Sequence, residues 1–475
     1  MKRPALTPVT RLAWPAAPLL CLALALAGCG SLVPLAEAPN ADLRADFRDS
    51  SNPPTTGAAA AHEWDGFFTD ERLRQVVGLA LSDNRSLRAG MAAVERARAQ
   101  YGVALASALP NVDATAAASR QRTTSSTGGS TASNYSVQLG LAAWEIDLFN
   151  RVGALEGAAL ARFLTQQETQ RGARLALVAE VANAWLGLAA EQQRLRLANT
   201  LRDSQERSLS LAERQYQLGA ASGLQRARAQ TAFEAARGEA ARIAASVLQA
   251  RLTLELLAGQ PLPQALLPGT LAESAMALPD LPGGLPASVL LQRPDLRAAE
   301  QTLQAAAFDV GVARAARFPR LTLTASAGTR SPELDTLFQR GSGIFSIVPT
   351  LVLPLFDGGE RRAQVAVTEA TRQQALAQYE AALQAAFREV ADALAVRDSL
   401  AERLAAQQAQ VTAAERSLSL VEQAYRLGGA SQLELLDAQR QQATAQQGLV
   451  TLRQVEQANR VALLRALGGR WTPGG

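Results

Sequence analysis

Apolar residues recur at every seventh position along the second half of the chain, with polar residues between them. No proline occurs from Gly153 to Tyr216 or from Glu360 to Leu427, and both stretches are rich in helix-forming Ala, Leu, Gln, Glu and Arg. The pattern predicts two very long helices, each with a rise of roughly 100 Å. A sustained heptad spacing indicates coiled-coil packing, and only Arg397 interrupts it. The heptad residues are Leu376, Leu383, Val390, Leu404, Val411, Leu418 and Tyr425.

Two other segments alternate large apolar residues with small or polar ones. They are Tyr135–Leu141 and Leu321–Ser326, and this period of two predicts strands with one apolar and one polar face. A soluble sheet packed on a core would show the pattern. A transmembrane barrel would show it too, with the apolar face towards lipid, and strands of about 9–11 residues fit such a barrel.

Each of these strands has an expected partner strand. The loops between partners, Thr123–Ser133 and Thr329–Gly343, are rich in Ser, Thr and Gly, as solvent-exposed turns are. The predicted strands cover about 111–122, 135–149, 319–330 and 344–356. A plain filamentous or adaptor-type coiled coil would have no such strands.

The chain contains one unit twice, because a shift of 209 residues aligns its halves without a gap at several places. Glu180–Ala184 falls on Glu389–Ala393, and Tyr216–Gly219 falls on Tyr425–Gly428. Each unit is predicted to hold a helix that runs to a proline, two strands and a long helical hairpin. The predicted bounds are 63–268 for the first repeat with its hairpin at 150–258, 269–292 for a connector, 293–468 for the second repeat with its hairpin at 358–468, and 469–475 for a tail.

A basic start followed by an apolar run and small residues predicts a secretory signal over 1–28. Leu26-Ala27-Gly28-Cys29 resembles a bacterial lipobox, which implies that Cys29 is lipidated and becomes the mature N terminus, followed by a linker over 29–62. The alternative is an ordinary signal that contains Cys29 by chance. One lipid chain binds a membrane only marginally, so stable anchoring needs several chains or a second membrane element.

Composition removes several classes of function. Three of the 47 basic residues lie in the signal segment, which leaves 44 against 43 acidic residues, so the high pI does not imply a nucleic-acid partner. The only histidine is His62, and no HExxH, P-loop, nucleophile elbow or CxxC motif occurs. We therefore expect no enzyme, no metal site, and packing roles for Trp144 and Trp185.

The number of predicted strands bears on assembly. Four strands per chain cannot close a membrane barrel, and lipid does not tolerate open strand edges. Two chains would give eight strands and a filled interior, whereas three would give twelve and a lumen. No apolar run after Cys29 reaches the roughly 18–20 residues of a spanning helix.

Several motifs resemble the outer-membrane efflux protein family (TolC/OprM-like), in its lipoprotein branch that serves RND pumps (NodT-like). The resemblance covers about residues 26–470. Trp64, Phe67 and Asp70 fit the segment that follows the lipid anchor in this family. The motifs that carry the resemblance are Arg293–Glu300, Ala313–Leu323, Tyr425–Ser431 and Leu436–Arg440.

The resemblance implies a mainly α fold with a β-barrel part. In it, three copies form a 12-stranded outer-membrane barrel and a coiled-coil α-barrel tunnel through the periplasm, with an equatorial belt from segments such as 261–290. It implies a passive exit duct that works with a periplasmic membrane-fusion adaptor and an inner-membrane RND pump, without a cofactor beyond the lipid on Cys29. Gly30, in place of a retention Asp, is consistent with export to the outer membrane. A type I protein-secretion duct and a coiled-coil lipoprotein scaffold without a pore are the alternatives.

The turns between the long helices are predicted to be the tips of the hairpins. Glycine after the last helical residue permits a left-handed cap, and serine is a good N-cap for the next helix. The family resemblance adds that such tips contact adaptor hairpins. The turn residues concerned are Leu218, Gly219 and Ser222 in the first repeat and Leu427, Gly428, Gly429 and Ser431 in the second.

Beyond the second turn, Leu433, Asp437 and Arg440 form one helical stripe, and Glu434 shares a face with Asp437. A solvated stripe with a local ion pair would explain this spacing. The resemblance implies instead a periplasmic gate, with an apolar ring at Leu433, carboxylates at Glu434 and Asp437, and Arg440 bonding between helices. Arg228, at the duplicated position of Asp437, is a possible partner for a carboxylate of the second repeat.

Overall fold

The computed structural model of the protein describes residues 32–34, 64–125, 128–271 and 287–469. Cys29, His62 and much of the predicted connector therefore lie outside the described residues. Short 3-10 helices cover Trp64–Phe67, Gln264–Leu266 and Ala287–Gln292. The main elements are α1 (Glu71–Asp83), α2 (Arg85–Ser107), β1 (Val112–Ser125), β2 (Gly128–Ile146), α3 (Arg151–Gln217), α4 (Gly223–Ala258), α5 (Pro294–Ala315), β3 (Arg320–Ser331), β4 (Gly343–Val352), α6 (Glu360–Arg426) and α7 (Gln432–Ala466).

These residues form two compact units. One unit takes in 96–164 and 300–377 and contains the sheet, and the other is built from the remaining helical segments. The fold prediction of long paired helices with a small β part is confirmed. The described parts of both predicted repeats contain the expected order of helix, two strands and helical hairpin.

The sheet of the first unit has the strand order β1-β2-β3-β4, and every neighbouring pair is antiparallel. Cross-strand partners share one face of a sheet. Leu139 pairs with Ala114 on one side and Ala327 on the other, and Ala327 pairs with Phe345. One face is therefore apolar, as the period of two predicts. The other face carries Ser, Thr, Gln and Gly on β2 and β3, but β4 adds Ile344, Val348 and Val352 to it.

The apolar face of the sheet is open to the surroundings of the chain. Phe345 is 82% exposed, Ile347 66%, Leu351 63% and Leu139 61%. A soluble sheet packed on its own core would bury these side chains. The soluble-sheet interpretation is therefore not supported by the described part of the chain.

The predicted bounds of the strands are partly wrong. Most of the expected loop Thr123–Ser133 is paired backbone, since β1 runs to Ser125 and β2 begins at Gly128. Polar Ser and Thr residues suggested a turn, but a ladder forms through the backbone, and Thr favours strands. β2 ends at Ile146 rather than 149 because Asp147 turns to accept from the Arg151 and Gly153 amides at the start of α3. β4 ends at Val352 rather than 356, shortly before Pro354, which has no N–H to donate.

The second unit has a continuous apolar core. Trp185 is fully buried in it, and its Nε1 donates to the Leu266 carbonyl oxygen at 3.2 Å. The packing role predicted for Trp185 is therefore confirmed. Phe67 lies in the same core, and Asp70 caps α1 by accepting from the Arg72 amide at 2.9 Å.

Arg293 of the Arg293–Glu300 motif connects three segments of the second unit. Its buried guanidinium donates to the Ala466 carbonyl oxygen at 3.1 Å, and to the carboxylates of Asp295 and Glu389 at 2.8 Å each. Burial raises the pKa of the Asp295 carboxyl, but the hydrogen bond and the positive charge of Arg293, together with backbone hydrogen bonds, outweigh burial and lower that pKa below its usual value. The motif therefore has a structural role that joins the start of α5 to α6 and to the end of α7.

The long helices bury the seam that the heptad spacing predicts. Each of the seven apolar heptad residues of α6 is buried or half-buried in the single chain, and Val390 is completely buried. Among the described helices, α3 also has a stretch long and apolar enough to cross a membrane, but 56% of that stretch is buried within the protein. It is therefore accounted for as a core segment.

Candidate aperture site at the hairpin ends

Both long hairpins turn with the same backbone geometry. Gly219 and Gly428, which are 209 residues apart, each have φ of 74°. The Ala220 amide donates to the Gln215 carbonyl oxygen, and the Gly429 amide donates to the Ala424 carbonyl oxygen, at 2.8 Å each. These bonds close the two helices with the Schellman arrangement, in which the left-handed residue is best served by glycine.

The helix that follows each turn begins with a capping box. The Ser222 Oγ accepts from the Gln225 amide at 3.2 Å, and Gln225 Oε1 accepts from the Ser222 amide at 2.7 Å. In the second repeat the Ser431 Oγ and the Glu434 Oε2 make the matching bonds at 3.2 and 2.6 Å. The predicted N-caps are confirmed, and Glu434 has a local structural partner.

The capping box changes the interpretation of Glu434. Its carboxylate accepts the hydrogen bond of the Ser431 backbone amide, which lowers the pKa of Glu434 below its usual value, with a further contribution from the Ser431 hydroxyl. The equivalent Gln225 makes the same bonds without a charge. Position 434 therefore needs an acceptor for structure, while its negative charge is an additional property of the second repeat.

The two turns present apolar side chains to solvent in the single chain. Leu218 is 83% exposed and Leu427 is 88% exposed. In the first repeat the Arg226 guanidinium also lies 5.6 Å from the centre of the Tyr216 ring. At each tip the backbone groups of the turn are therefore hydrogen-bonded, while an apolar side chain is exposed to solvent.

The predicted stripe on α7 lines a cleft of about 650 Å³ together with residues of α4 and α3. Duplicated positions meet there, because Leu433 and Asp437 line it from α7 and their equivalents Leu224 and Arg228 line it from α4. Arg440 also lines the cleft. The structure therefore brings together Leu433, Asp437, Arg440 and Arg228, whereas Glu434 points its carboxylate at its own helix terminus.

The charges in the cleft are distributed unevenly. The Arg440 guanidinium pairs with the Asp437 carboxylate three residues earlier on the same helix. A bond from Arg440 to another helix therefore stays a prediction for an assembly of several chains. Arg228 makes no ion pair within the described residues, although it lines the same cleft as Asp437. The predicted contact between Arg228 and a carboxylate of the second repeat is thus not formed in the single chain.

Sequence reasoning missed a buried polar contact at this cleft. Gln205, which is 3% exposed, donates from Nε2 to Gln439 Oε1 at 3.0 Å, and Gln439 donates to the Ser204 Oγ at 3.0 Å. Sequence spacing gave no signal for this contact, because α7 also buries Gln432, Gln457 and Asn459. Across the described residues, no group of three or more His, Cys, Asp or Glu side chains is placed to hold a metal ion.

Two capped hairpins and a sheet with an exposed apolar face define a membrane channel protein built largely from helices. The sequence model of the family described as outer membrane efflux protein matches residues 76–260 and 285–469. The second match begins and ends 209 residues after the first, which is the offset found from the sequence. The chain belongs to the outer membrane efflux protein family.

Known relatives agree over almost the whole chain. The outer membrane protein OprJ of Pseudomonas aeruginosa is 38% identical over 459 residues, which are 96% of each protein. The antibiotic efflux pump outer membrane protein ArpC of Pseudomonas putida is 38% identical over 457 residues, or 94% of each. The solved open state of the MtrE outer membrane channel of Neisseria gonorrhoeae has a TM-score of 0.83 at 33% identity, covering 92% of this chain and 98% of that one. The protein is thus an efflux channel of the outer membrane, and its family role is transport rather than catalysis.

The cap at Glu434 gives a first testable prediction. Glu434→Ala removes the acceptor of the Ser431 amide, so we expect exchange of the amide hydrogens at 431–435 to become about two- to fivefold faster. Glu434→Gln keeps the acceptor, as Gln225 does, and leaves exchange unchanged at pH 7. The measurement is hydrogen–deuterium exchange with mass spectrometry, and Gln225→Ala is the matched control in the first turn.

Acidification should weaken the Ser431 cap and leave the Ser222 cap unchanged. A carboxyl whose pKa is lowered by folding stabilises the folded state at any pH above the pKa that the group has in the unfolded chain. That stabilisation is lost as the pH falls through the pKa of the folded state. The Ser431 cap should therefore weaken below about pH 4.5, whereas the Ser222 cap, with neutral Gln225, should not. Equal exchange in the Ala and Gln variants would contradict the capping role.

Proposed function

We propose that three copies of this protein form the outer-membrane exit duct of a tripartite, RND-type efflux system, a passive channel for small molecules. The observation that carries the proposal is the four-stranded sheet with two unpaired edge strands and an exposed apolar face. The relatives include an antibiotic efflux pump component and an open outer membrane channel. Their names support the function class and leave the substrate of this chain undecided.

Closure by several chains follows from the edges of the sheet. Among the described residues, β1 and β4 each have one partner strand, so one side of each backbone lacks a partner. Unpaired backbone groups cost several kcal/mol each in hydrocarbon, roughly 2–7 kcal/mol by transfer measurements. Pairing β1 of one copy with β4 of the next removes both edges. Three copies give twelve strands and leave a lumen, whereas two give eight strands and a filled interior.

The polar face of the sheet suits the lumen, and the exposed apolar side chains suit lipid. The two 67-residue helices α3 and α6 supply walls for a tunnel, each with a rise of roughly 100 Å. Segments such as 261–290, which overlap the connector 269–292, would form a belt around that tunnel. We therefore place the sheet in the outer membrane and the hairpin tips in the periplasm.

The tips are the surface that a periplasmic membrane-fusion adaptor would hold, with the inner-membrane pump beyond it. The exposed Leu218 and Leu427 offer apolar contacts, and the glycine turns leave little bulk around them. The remaining turn residues in this role are Gly219, Ser222, Gly428, Gly429 and Ser431.

The stripe of α7 supplies the periplasmic gate in this proposal. Three-fold symmetry would turn Leu433 into an apolar ring, and Glu434 with Asp437 into a ring of six carboxylates. Such a ring favours cations over anions. Arg440 and Arg228 would then adjust the contacts between helices as the aperture opens on docking of the adaptor and pump.

The N terminus supplies a second attachment to the membrane. We propose that Cys29 carries a covalent lipid after removal of residues 1–28, with 29–62 as a linker. The sequence Leu26-Ala27-Gly28-Cys29 supports this proposal. The barrel would keep the assembly in the membrane together with the lipid.

The gate is tested by single-channel recording in planar bilayers. Glu434→Gln with Asp437→Asn should bring the cation-to-anion permeability ratio towards one and weaken block by La³⁺, because the ring loses its charge while the cap at residue 434 is kept. Asp392→Asn is the matched control, since Asp392 pairs with Arg388 on an exposed helix face at 3.3 Å and lies outside the stripe.

Arg440→Ala tests the closed state in the same recordings. An exposed ion pair contributes less than about 1 kcal/mol, so three copies shift the closed–open equilibrium by at most about a hundredfold. We expect more frequent opening and greater sensitivity of cells to vancomycin, with Arg388→Ala as the control. Variants that match their controls in both assays would contradict the gate. A wild-type protein without any conductance would favour a scaffold without a pore.

The anchor is tested by labelling with radioactive palmitate. Cys29→Ala should abolish the label and leave an unprocessed precursor, because the modified thiol is gone. Cys21→Ala is the matched control, since Cys21 lies in the predicted signal segment, and it should label like the wild type. Label in the Cys29→Ala protein would contradict the lipobox.

A further inference from the structure

The cleft that holds the α7 stripe has the size and walls of a small-molecule site. Its volume of about 650 Å³ lies within the usual range of roughly 300–1,000 Å³ for such sites. Leu201, Leu224, Leu433 and Leu436 line it, and alanines of α4 form much of the remaining wall. A cleft of this kind favours a ligand with an apolar body.

The charged groups at the cleft leave one cation uncompensated. Asp437 is paired with Arg440, and Glu239 accepts from Arg242 through both carboxylate oxygens at 2.8 and 2.7 Å. Arg228 is the remaining charged side chain of the lining, and it makes no ion pair within the part of the chain that the structure describes. A ligand with a single negative charge would therefore balance the charge of the cleft.

A buried polar atom at the inner wall also lacks a partner. Gln205 lines the cleft and is 3% exposed, yet its Oε1 has no hydrogen-bond donor among the described residues. A buried acceptor without a donor costs free energy. Such an acceptor is expected in the wall of a binding site, where a bound molecule, or a water held beneath that molecule, donates the missing hydrogen bond.

We propose that this cleft binds a small apolar monoanion, such as an aromatic or aliphatic carboxylate. Its apolar body lies between the leucines of α4 and α7, and its carboxylate pairs with Arg228. Such a ligand bridges the starts of the two helices that follow the hairpin turns. If these turns form the aperture, which rests on the proposed function, the ligand stabilises the closed arrangement and lowers the frequency of opening.

The binding test uses the purified full-length protein in detergent and 4-(4-bromophenyl)butyrate as the probe. Isothermal titration calorimetry is run against a detergent blank, with the uncharged 4-(4-bromophenyl)butyramide as the matched ligand. We expect the carboxylate to bind about five- to tenfold more tightly than the amide, which is less than the full gain of a charge-assisted hydrogen bond because the amide oxygen also accepts from Arg228. Anomalous scattering from bromine in crystals should place the ring beside Leu224 and Leu433.

Variants separate this site from general adhesion of an apolar acid. Arg228→Gln should weaken carboxylate binding about five- to tenfold and leave amide binding unchanged. Ala235→Phe fills the cleft and should abolish binding of both. Arg237→Gln is the control, because Arg237 lies on the same helix outside the cleft and pairs with Glu234 at 2.8 Å.

Equal affinity for acid and amide, wild-type affinity in Arg228→Gln, or bromine density elsewhere would overturn the site. Density of a neighbouring chain in the cleft would also overturn it, because the occupant would then be a second copy. The bridging effect is read separately, as fewer openings in bilayers on addition of the probe. Binding of the probe without fewer openings would overturn the link to the aperture. If the Glu434→Gln, Asp437→Asn variant kept the permeability ratio of the wild type, the gate would be contradicted but the binding site would not.

Discussion

Lipid offers no hydrogen-bond partners to a peptide backbone, so a sheet that lies in a membrane needs a partner strand at each of its edges. The sheet exposes phenylalanine, isoleucine and leucine on one face and has no partner strand at β1 or β4. A single chain with this sheet is stable neither in water, where the apolar face is exposed, nor in hydrocarbon, where the backbone groups of the edge strands lack partners. In the proposed trimer, the copies that close the sheet also bring the long helices together.

The duplication supplies two hairpins with one backbone design and different charges. Both turns use a left-handed glycine, a Schellman closure and a serine capping box. The side chains then diverge, with Gln225 and Arg228 in the first repeat where the second has Glu434 and Asp437. Because the caps are equivalent, the negative charges of the second repeat are not needed for the turn and are available for a separate role. Arg228 and Asp437 occupy duplicated positions, carry opposite charges and line the same cleft.

Much of the fold was predictable because its signals are periodic. The heptad of α6, the alternation in β2 and β3, and the Gly-Ser turns each follow from backbone geometry that sequence spacing reports directly. The extent of the first β-hairpin was not predictable, because Thr123, Thr124 and Ser130 read as turn residues while the ladder pairs their backbones. The role of Arg293 and the pairing of Gln205 with Gln439 depend on contacts between helices, which spacing alone does not encode. The bond from the Ser431 amide to Glu434 could have been predicted, because serine followed three residues later by glutamate is the spacing of a capping box.

Closure of the sheet by three copies is tested most directly by disulfide formation between its edges. Ala117→Cys on β1 is combined in turn with Ser346→Cys, Val348→Cys and Thr350→Cys on β4, because two cysteines form a bond only when their Cα atoms approach to about 4.4–6.8 Å. Each single-cysteine variant is the control for its pair. At one register, oxidation of whole membranes should give linked species that end at three chains on a denaturing gel and return to one chain on reduction. Linked species beyond three chains, or no linkage at any register, would contradict the closed twelve-stranded sheet.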